Sequence, residues 1–397
     1  MIRRVGHRRF ALALVIAGCS FSVPGTFVTP DGADGPTGDA TDAPDGGANP
    51  CRAVELSAMS AHTCARMENG DVWCWGINGV GEVGRPAQVS PCHNGVPCNP
   101  TPEKLVMPPA TRLGVGEEHG CAIAGPDTYC WGRNDRYQFG DGTQTGNATP
   151  HLITQRAGAT QIAGGLEHNC AVHAGGVVRC SGTNTNGEVG NNSVLAQPLP
   201  AQAVPGGVSQ LATGYQHACT VQSGFVYCWG ADFTGQTSKA VGAPVRTPTI
   251  VSGVANAVAV AGGYGHTCAL KSGIGDVVCW GANGAGQLGV GDMLPHQGVV
   301  SSTLFSGGVQ LVAGSDHSCA RTPAGSMFCW GDGYGPTPVQ VALPRPAVAV
   351  ASGSFHDCAA LDDGTVWCKG WNAYGQLGNG VHDNQTSLVV TKVSLCP

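Results

Sequence analysis

The stretch HTCALKSGIGDVVCWGANGAGQLGVGD, residues 266–292, holds the grammar of the whole chain. A short β-prone run opens it with His266-x-Cys268. A glycine-rich turn follows, then a second run ending Cys279-Trp280-Gly281, then a glycine-studded loop. Two apolar runs bracketed by turn residues read as an antiparallel hairpin. Working outward, His-x-Cys recurs at His62, His119, His168, His217, His266, His317 and His356, at intervals of 57, 49, 49, 49, 51 and 39 residues. Periods of this length mark solenoids, propellers or arrays. An apolar run such as Val208-Ser-Gln-Leu-Ala212 precedes each motif, and a Pro-containing stretch leads to the next. Each unit therefore offers four strands. None contains a segment with the length and period of an amphipathic helix.

Two units depart from the rule. The sixth runs from Cys329-Trp330-Gly331 directly into "DGYGPTPVQV" without the full glycine loop, and the first is enlarged by "SPCHNGVPCNPTPEKL" at 90–105. Irregular loops on a regular scaffold are where function differs between units.

The pieces at 266–292 and "WNAYGQLGNG" at 371–380 resemble the RCC1 (regulator of chromosome condensation) repeat family, and the resemblance extends over residues 51–397. It implies an all-β fold: a seven-bladed β-propeller with four-stranded blades. The ring would close by joining N- and C-terminal strands, with 389–393 as the first strand of a blade and 54–58 as its second. A parallel β-helix fits poorly, its coils being shorter than the repeat. The resemblance also makes the repeated His a structural residue that hydrogen-bonds within its blade.

Of the 19 cysteines, fourteen fall into pairs 9 to 11 residues apart across a hairpin turn: Cys64–Cys74, Cys121–Cys130, Cys170–Cys180, Cys219–Cys228, Cys268–Cys279, Cys319–Cys329 and Cys358–Cys368. Facing positions on antiparallel neighbours suit disulfides. Cys92 and Cys98 bracket the insertion and are expected to close it. The ring closure implied by the family brings Cys51 to Cys396 for a ninth bond. Cys19 is left over.

That cysteine has its own context. Arg3, Arg4, Arg8 and Arg9 precede a short apolar run at 10–17. A transmembrane helix needs about 20 apolar residues, so this run reads as an export signal. Ile16-Ala17-Gly18-Cys19 resembles the bacterial lipobox. The resemblance implies a lipoprotein signal peptide at 1–18 and acylation of Cys19, a membrane anchor through several acyl chains. Ser20 after the cysteine implies the outer membrane or cell surface. Residues 19–50, rich in Gly, Pro and Asp, form a flexible linker that cannot bury enough apolar surface to fold.

Charge narrows the function. Without the four signal arginines, 16 basic residues face 26 acidic ones, a formal charge near -10. Phosphate-backbone binding needs clustered Lys and Arg, so nucleic acid is not an expected partner. The His-x-Cys pairs could point two ligands to one face, but oxidised cysteines do not bind metal as thiolates, and recurrence in every unit argues for scaffold. The tryptophans of Cys-Trp-Gly (Trp75, Trp131, Trp229, Trp280, Trp330) read as packing for the same reason; Ser181 and Lys369 replace them in units three and seven. No nucleophile elbow, His-Glu-x-x-His or phosphate loop is present, and Glu117/Glu118 and Asp362/Asp363 alone carry little weight. No catalytic residue, cofactor or metal is expected. The residues singled out for binding are Trp367, Trp371, Tyr334 and His93. The expected role is an envelope-displayed protein-binding scaffold. The alternatives are a glycan-binding module, which calls for coplanar exposed aromatics, and an envelope hydrolase or lyase, which calls for a carboxylate and a His converging from different blades.

Overall fold

A computed structural model describes residues 51–395 apart from 90, 239, 240, 297, 303, 304, 384 and 385; the signal, Cys19, the linker and Cys396 lie outside the described residues. Seven antiparallel four-stranded sheets succeed one another along the chain, at 53–104, 112–152, 159–204, 208–250, 257–301, 310–341 and 347–392. They are blades 1 to 7 of a β-propeller. Strand order in every blade is sequential. The second strand carries His-x-Cys and the third carries Cys-x-Gly, as in His317–Arg321 and Met327–Gly331 of blade 6.

The core lies between blades. In blade 5 the first strand, Ala257–Gly262, and the second, His266–Lys271, are buried at nearly every position, because each sheet is covered on both faces by its neighbours. The fourth strand of blade 4, Val245–Ile250, is the outer one and is only partly covered. The hairpin between the second and third strands is tight. In blade 4, Gln222 pairs with Phe225 across Ser223 and Gly224, both at positive φ (48° and 81°), the signature of a two-residue type I′ turn. That turn sets Cys219 directly opposite Cys228.

Each of the seven blades has such a disulfide, with Cα atoms 4.0–4.1 Å apart, and Cys92–Cys98 closes the insertion in blade 1. Eight disulfides among the described residues imply an oxidising, extracytoplasmic setting. Cys51 is also disulfide-bonded, while the partner expected for it, Cys396, is outside the described residues.

The ring closes differently from the expectation. Thr386–Lys392 is the fourth strand of blade 7, paired with Val366–Trp371, and Ala53–Met59 is the first strand of blade 1. No blade is shared between the ends among the described residues. Blade 1 instead packs face to face on blade 7: Ala53, Leu56, Ala58 and Trp75 share a core with Ala349, Ala351, Ala360 and Leu377. Backbone bonds from Ser354 N–H to Ser60 O (2.7 Å) and from Ala53 N–H to Gly364 O (3.2 Å) complete the seam. Thr386–Lys392 completes blade 7 and Ala53–Met59 opens blade 1, so the ring closes between two whole blades.

Antiparallel order puts the loops between strands 1 and 2 and between strands 3 and 4 on one face, and the disulfide hairpins toward the other. In blade 5 the third and fourth strands, Val277–Gly281 and Val300–Ser301, are joined through residues 282–299; in blade 6, Met327–Gly331 reaches Gly335–Val341 through 332–334 alone.

Candidate functional site: an open seat between blades 6 and 7

Two devices join neighbouring blades. The first, in blades 4 to 7, is the repeated His; the Nε2 atoms of His62, His119 and His168 make no such bond among the described residues. His217 Nε2 meets Thr267 Oγ1 (2.8 Å), His266 Nε2 meets Ser318 Oγ (2.8 Å), and His356 Nε2 meets Thr63 Oγ1 (2.7 Å). The partner is the residue between His and Cys of the following blade. For these blades this corrects the expectation of a bond within the blade: the ring lies in the interblade space, where the neighbour supplies a hydroxyl or, for His317, the Asp357 carboxylate, whereas Gly120, Asn169 and Ala218 hold that position after blades 1 to 3. A glycine stands three residues before each motif from His119 to His356, and it is needed there. A Cβ on Gly263 would stand 2.2 Å from His266 Cε1.

The second device is a plug. Each long loop between strands 3 and 4 drives a buried side chain against the next blade: Val83, Phe139, Val189, Thr237, Leu288 and Leu377, all at most 1% exposed. The carbonyl just before it accepts the indole N–H of the next Trp: Gln376 from Trp75, Glu82 from Trp131, Glu188 from Trp229, Gln236 from Trp280 and Gln287 from Trp330, all at 2.8–2.9 Å. In blade 3, where Ser181 replaces Trp, buried Arg156 of blade 2 fills the space and donates to Phe139 O (2.8 Å), Asn169 O (3.2 Å) and Ser181 Oγ.

Blade 6 has no such loop, and the seat it would fill is an open cavity of about 360 Å³. Its walls include His317, Tyr334, Phe355, Asp357, Lys369 and Trp371. Asp357 and Lys369 are register partners at the positions held by Ser318 and Trp330 one blade earlier. Asp357 is buried and accepts from His317 Nε2 (2.9 Å), Ser352 Oγ (2.6 Å) and the Tyr334 hydroxyl (2.6 Å). Burial pushes its carboxyl up, but the facing His317 and the three hydrogen bonds outweigh burial and hold it at about 2. Burial pulls the His317 imidazole down, but Asp357, with Asp332 and Asp316 beyond it, outweighs burial and raises it. Each group thus favours the charged form of the other. Burial and the neighbouring Asp357 charge push the Tyr334 hydroxyl far above its ordinary range. Lys369, lowered by burial, lays Nζ 4.2 Å from the centre of the Tyr334 ring and makes no salt bridge among the described residues.

Beyond this cavity, other buried ionisable groups belong to the scaffold. Glu82 is raised to about 7 by burial while its Oε2 accepts Val80 N–H, as Gln287 does from Ala285. Glu117, in the loop before His119, is raised to about 8 by burial and by Glu118 and Glu167. A chelating reading of His317, Cys319 and Asp357 fails on Cys319, whose sulfur is bonded to Cys329.

Sequence models described as "Regulator of chromosome condensation (RCC1) repeat" match residues 56–82, 127–172, 257–287, 309–335 and 347–376. The chain is a propeller of RCC1 repeats. It is 29% identical over 374 residues to the ultraviolet-B receptor UVR8 of Arabidopsis thaliana, spanning 84% of this chain and 80% of that protein. Among solved structures it resembles Prp20p of Saccharomyces cerevisiae, a protein described with its binding to Gsp1p and histones (TM-score 0.71, 22% identity, 82% of this chain and 86% of that one). It also resembles human WBSCR16 (TM-score 0.69, 20% identity, 82% and 94%). At these identities the solved structures speak for the fold alone.

Within this RCC1-repeat ring, three of the four residues singled out from sequence come together. Tyr334 and Trp371 line the open seat, and His93, from the insertion of blade 1, packs edge-on against Trp371 (centroids 5.4 Å apart, planes at 84°) and Tyr374 (5.5 Å, 80°). Trp367 does not join them. It packs against the core between blades 6 and 7 beside Leu343 and Val390, with its indole N–H on Thr365 Oγ1 (3.1 Å). Sequence reading missed Asp357 and Lys369 as site residues. A signal existed: Asp357 is the one acid between His and Cys in seven RCC1 repeats, and Lys369 the one cation between Cys and Gly, both just after the shortened loop.

Proposed function

We propose that this RCC1-repeat propeller is an exported, lipid-anchored scaffold that binds a protein partner. It would be held at the cell envelope through Cys19 and the 19–50 linker. The partner would meet the face bearing the strand 3–4 loops. The observation that carries this reading is the apolar rim of that face. Leu195, Val241, Leu294 and Val381, from the long loops of blades 3, 4, 5 and 7, are 72%, 68%, 66% and 49% exposed. Large apolar side chains left exposed on one loop face are contacts that a protein partner can cover. Prp20p, a propeller of the same fold, is described through its binding to other proteins. The aromatics around the seat stand edge-on to one another, at 80–89°, which does not offer the flat platform a sugar ring stacks on. His317 and Asp357 converge from two blades and are hydrogen-bonded to each other inside the interblade clasp, where they serve to join the blades.

The test is affinity capture from the envelope with the full chain and with a Leu195→Glu, Val241→Glu, Leu294→Glu variant. A defined protein held by the first and lost by the second is the expected result. Retention of polysaccharide alone, or an identical protein set with both, overturns the reading. In the same cells Cys19→Ser is expected to move the chain from the membrane to the soluble fraction.

A further inference from the structure

The seat between blades 6 and 7 has a defined shape because the same seat is filled six times elsewhere in the ring. Between blades 5 and 6 the occupant is the turn at 283–289. Leu288 is the buried plug, packed with Leu311, Ala313, Ala320 and Trp330. The Gln287 carbonyl accepts from Trp330 Nε1 (2.9 Å) and from Ser318 Oγ (3.1 Å). Gly286 lies against the start of the neighbouring fourth strand, where a Cβ would approach Pro336 Cα to 2.5 Å. The same three contacts recur between blades 7 and 1. There Leu377 is buried, the Gln376 carbonyl takes the Trp75 N–H, and Gly375 meets Pro100.

At the next blade every receiving position is present but the giver is missing. Lys369 and Asp357 stand where Trp330 and Ser318 donate to the carbonyl, and Ser387 faces Gly370 as Gly335 faces Gly331 at the start of the neighbouring fourth strand. The walls are largely apolar, from Phe355, Trp371 and the Tyr334 ring. The Asp357 carboxylate is taken up by His317, Ser352 and Tyr334, and the Lys369 ammonium lines the seat as a charged donor with no carboxylate partner among the described residues.

We propose that the open seat is a receptor for a tight glycine-containing turn of a partner protein, whose Leu, Val or Phe side chain fills the cavity and whose backbone carbonyl, or an adjacent carboxylate, receives Lys369. This rests on the protein-binding reading above and locates its anchor. The chemistry is that of the ring's own plugs, supplied in trans. The change of Trp to Lys fits this origin. An indole N–H serves a carbonyl held at one fixed place by its own chain. An ammonium on a flexible stem reaches a carbonyl or carboxylate whose position a partner sets. A central pocket that takes one apolar anchor is also the usual form of a binding hot spot.

The experiment uses the full chain labelled with 5-fluorotryptophan, with the Trp371 resonance assigned through Trp371→Phe. The probe is a disulfide-closed peptide, Cys-Asn-Gly-Ala-Gly-Gln-Leu-Gly-Cys, copying residues 283–289. The expected result is a saturable shift of the Trp371 signal, at least about tenfold weaker for the same peptide carrying Leu288→Gly, as loss of a buried leucine side chain demands. A second variant replaces 332–334 by the blade 5 loop 282–291 and carries Lys369→Trp. It is expected to melt higher and to lose the response. Equal responses to the two peptides, no response, or a response kept in the grafted variant overturns the proposal. A shift that tracks protein concentration and dimer formation without peptide assigns the seat to a second copy and also overturns it. If capture from the envelope persists in the grafted variant, the anchor lies elsewhere and the scaffold reading stands. If the peptide binds but no protein is ever captured, the seat stands and the scaffold reading falls.

Discussion

Acid should dismantle this propeller steeply, because its interblade histidines are buried as neutral rings. Burial lowers His62, His119, His217 and His266 to about 3, and His168 and His356 to about 4. In the unfolded chain each returns to 6.5. Between these values the unfolded state binds more protons, so stability is complete above about pH 6.5 and is lost as the pH falls. At about pH 5 the six rings contribute a difference of about six protons. Two buried carboxyls oppose them: Glu82 at about 7 and Glu117 at about 8 bind protons in the folded state that the unfolded chain largely releases. The net uptake on unfolding is about four protons, or a loss of about 5 kcal/mol per pH unit. With an unfolding entropy of about 2 cal/mol/K per residue over the ring, the melting midpoint falls by about 7 °C per pH unit. Circular-dichroism melts from about pH 6 to pH 4.5 measure it, and a midpoint that moves by less than about 2 °C across that range refutes the buried-neutral assignment. A His217→Gln variant, one proton short, should lower the slope by about 1.4 kcal/mol per pH unit.

Three further outcomes follow from the clasps and plugs. Asp357→Ala strands a buried His317 and should cost about 3–5 kcal/mol in denaturant unfolding, whereas Asp357→Thr, which recreates the His217–Thr267 arrangement, should cost much less. The His317–Asp357 pair is also pH-sensitive in the opposite sense to its sisters: the raised His317 gives its stabilisation fully below about pH 6.5 and loses it as the pH rises through its folded value, while Asp357 loses its share only as the pH falls toward about 2. Trp280→Phe removes the indole donor from the Gln236 carbonyl, which keeps the Thr267 hydroxyl (2.8 Å), and should cost about 1 kcal/mol by the same unfolding assay. Arg156→Ala should cost about 3–5 kcal/mol through the emptied space and the carbonyls it serves, and adding Ser181→Trp, the residue other blades use there, should recover much of the loss; a double variant no more stable than the single one refutes the equivalence of the guanidinium and the indole.

The sequence by itself determined the number of blades, the strands within each and the pairing of the seven blade disulfides. These are local properties. His-x-Cys and Cys-x-Gly lie within one hairpin, and a two-residue turn such as Ser223-Gly224 dictates which residues face each other. The irregular sixth and seventh units were also legible, as a short loop and two odd residues at Asp357 and Lys369. What only the tertiary structure decided are relations between blades. His217 and Thr267 are 50 residues apart, and nothing in the pattern of either hairpin says that the imidazole reaches outward to the next blade rather than inward to its own. Ring closure turned on whether the last strand completes a blade or begins one, and local strand propensity is the same in both cases. Trp367 and Trp371 share a strand and an alternation that would put them on one face. A register shift at Gly370, with φ at 116°, breaks that alternation, sending one ring into the core and the other to the seat. The seat itself exists because a plug belongs to one blade and its receptor to the next. Its opening is a property of their contact, which a sequence read one blade at a time does not contain.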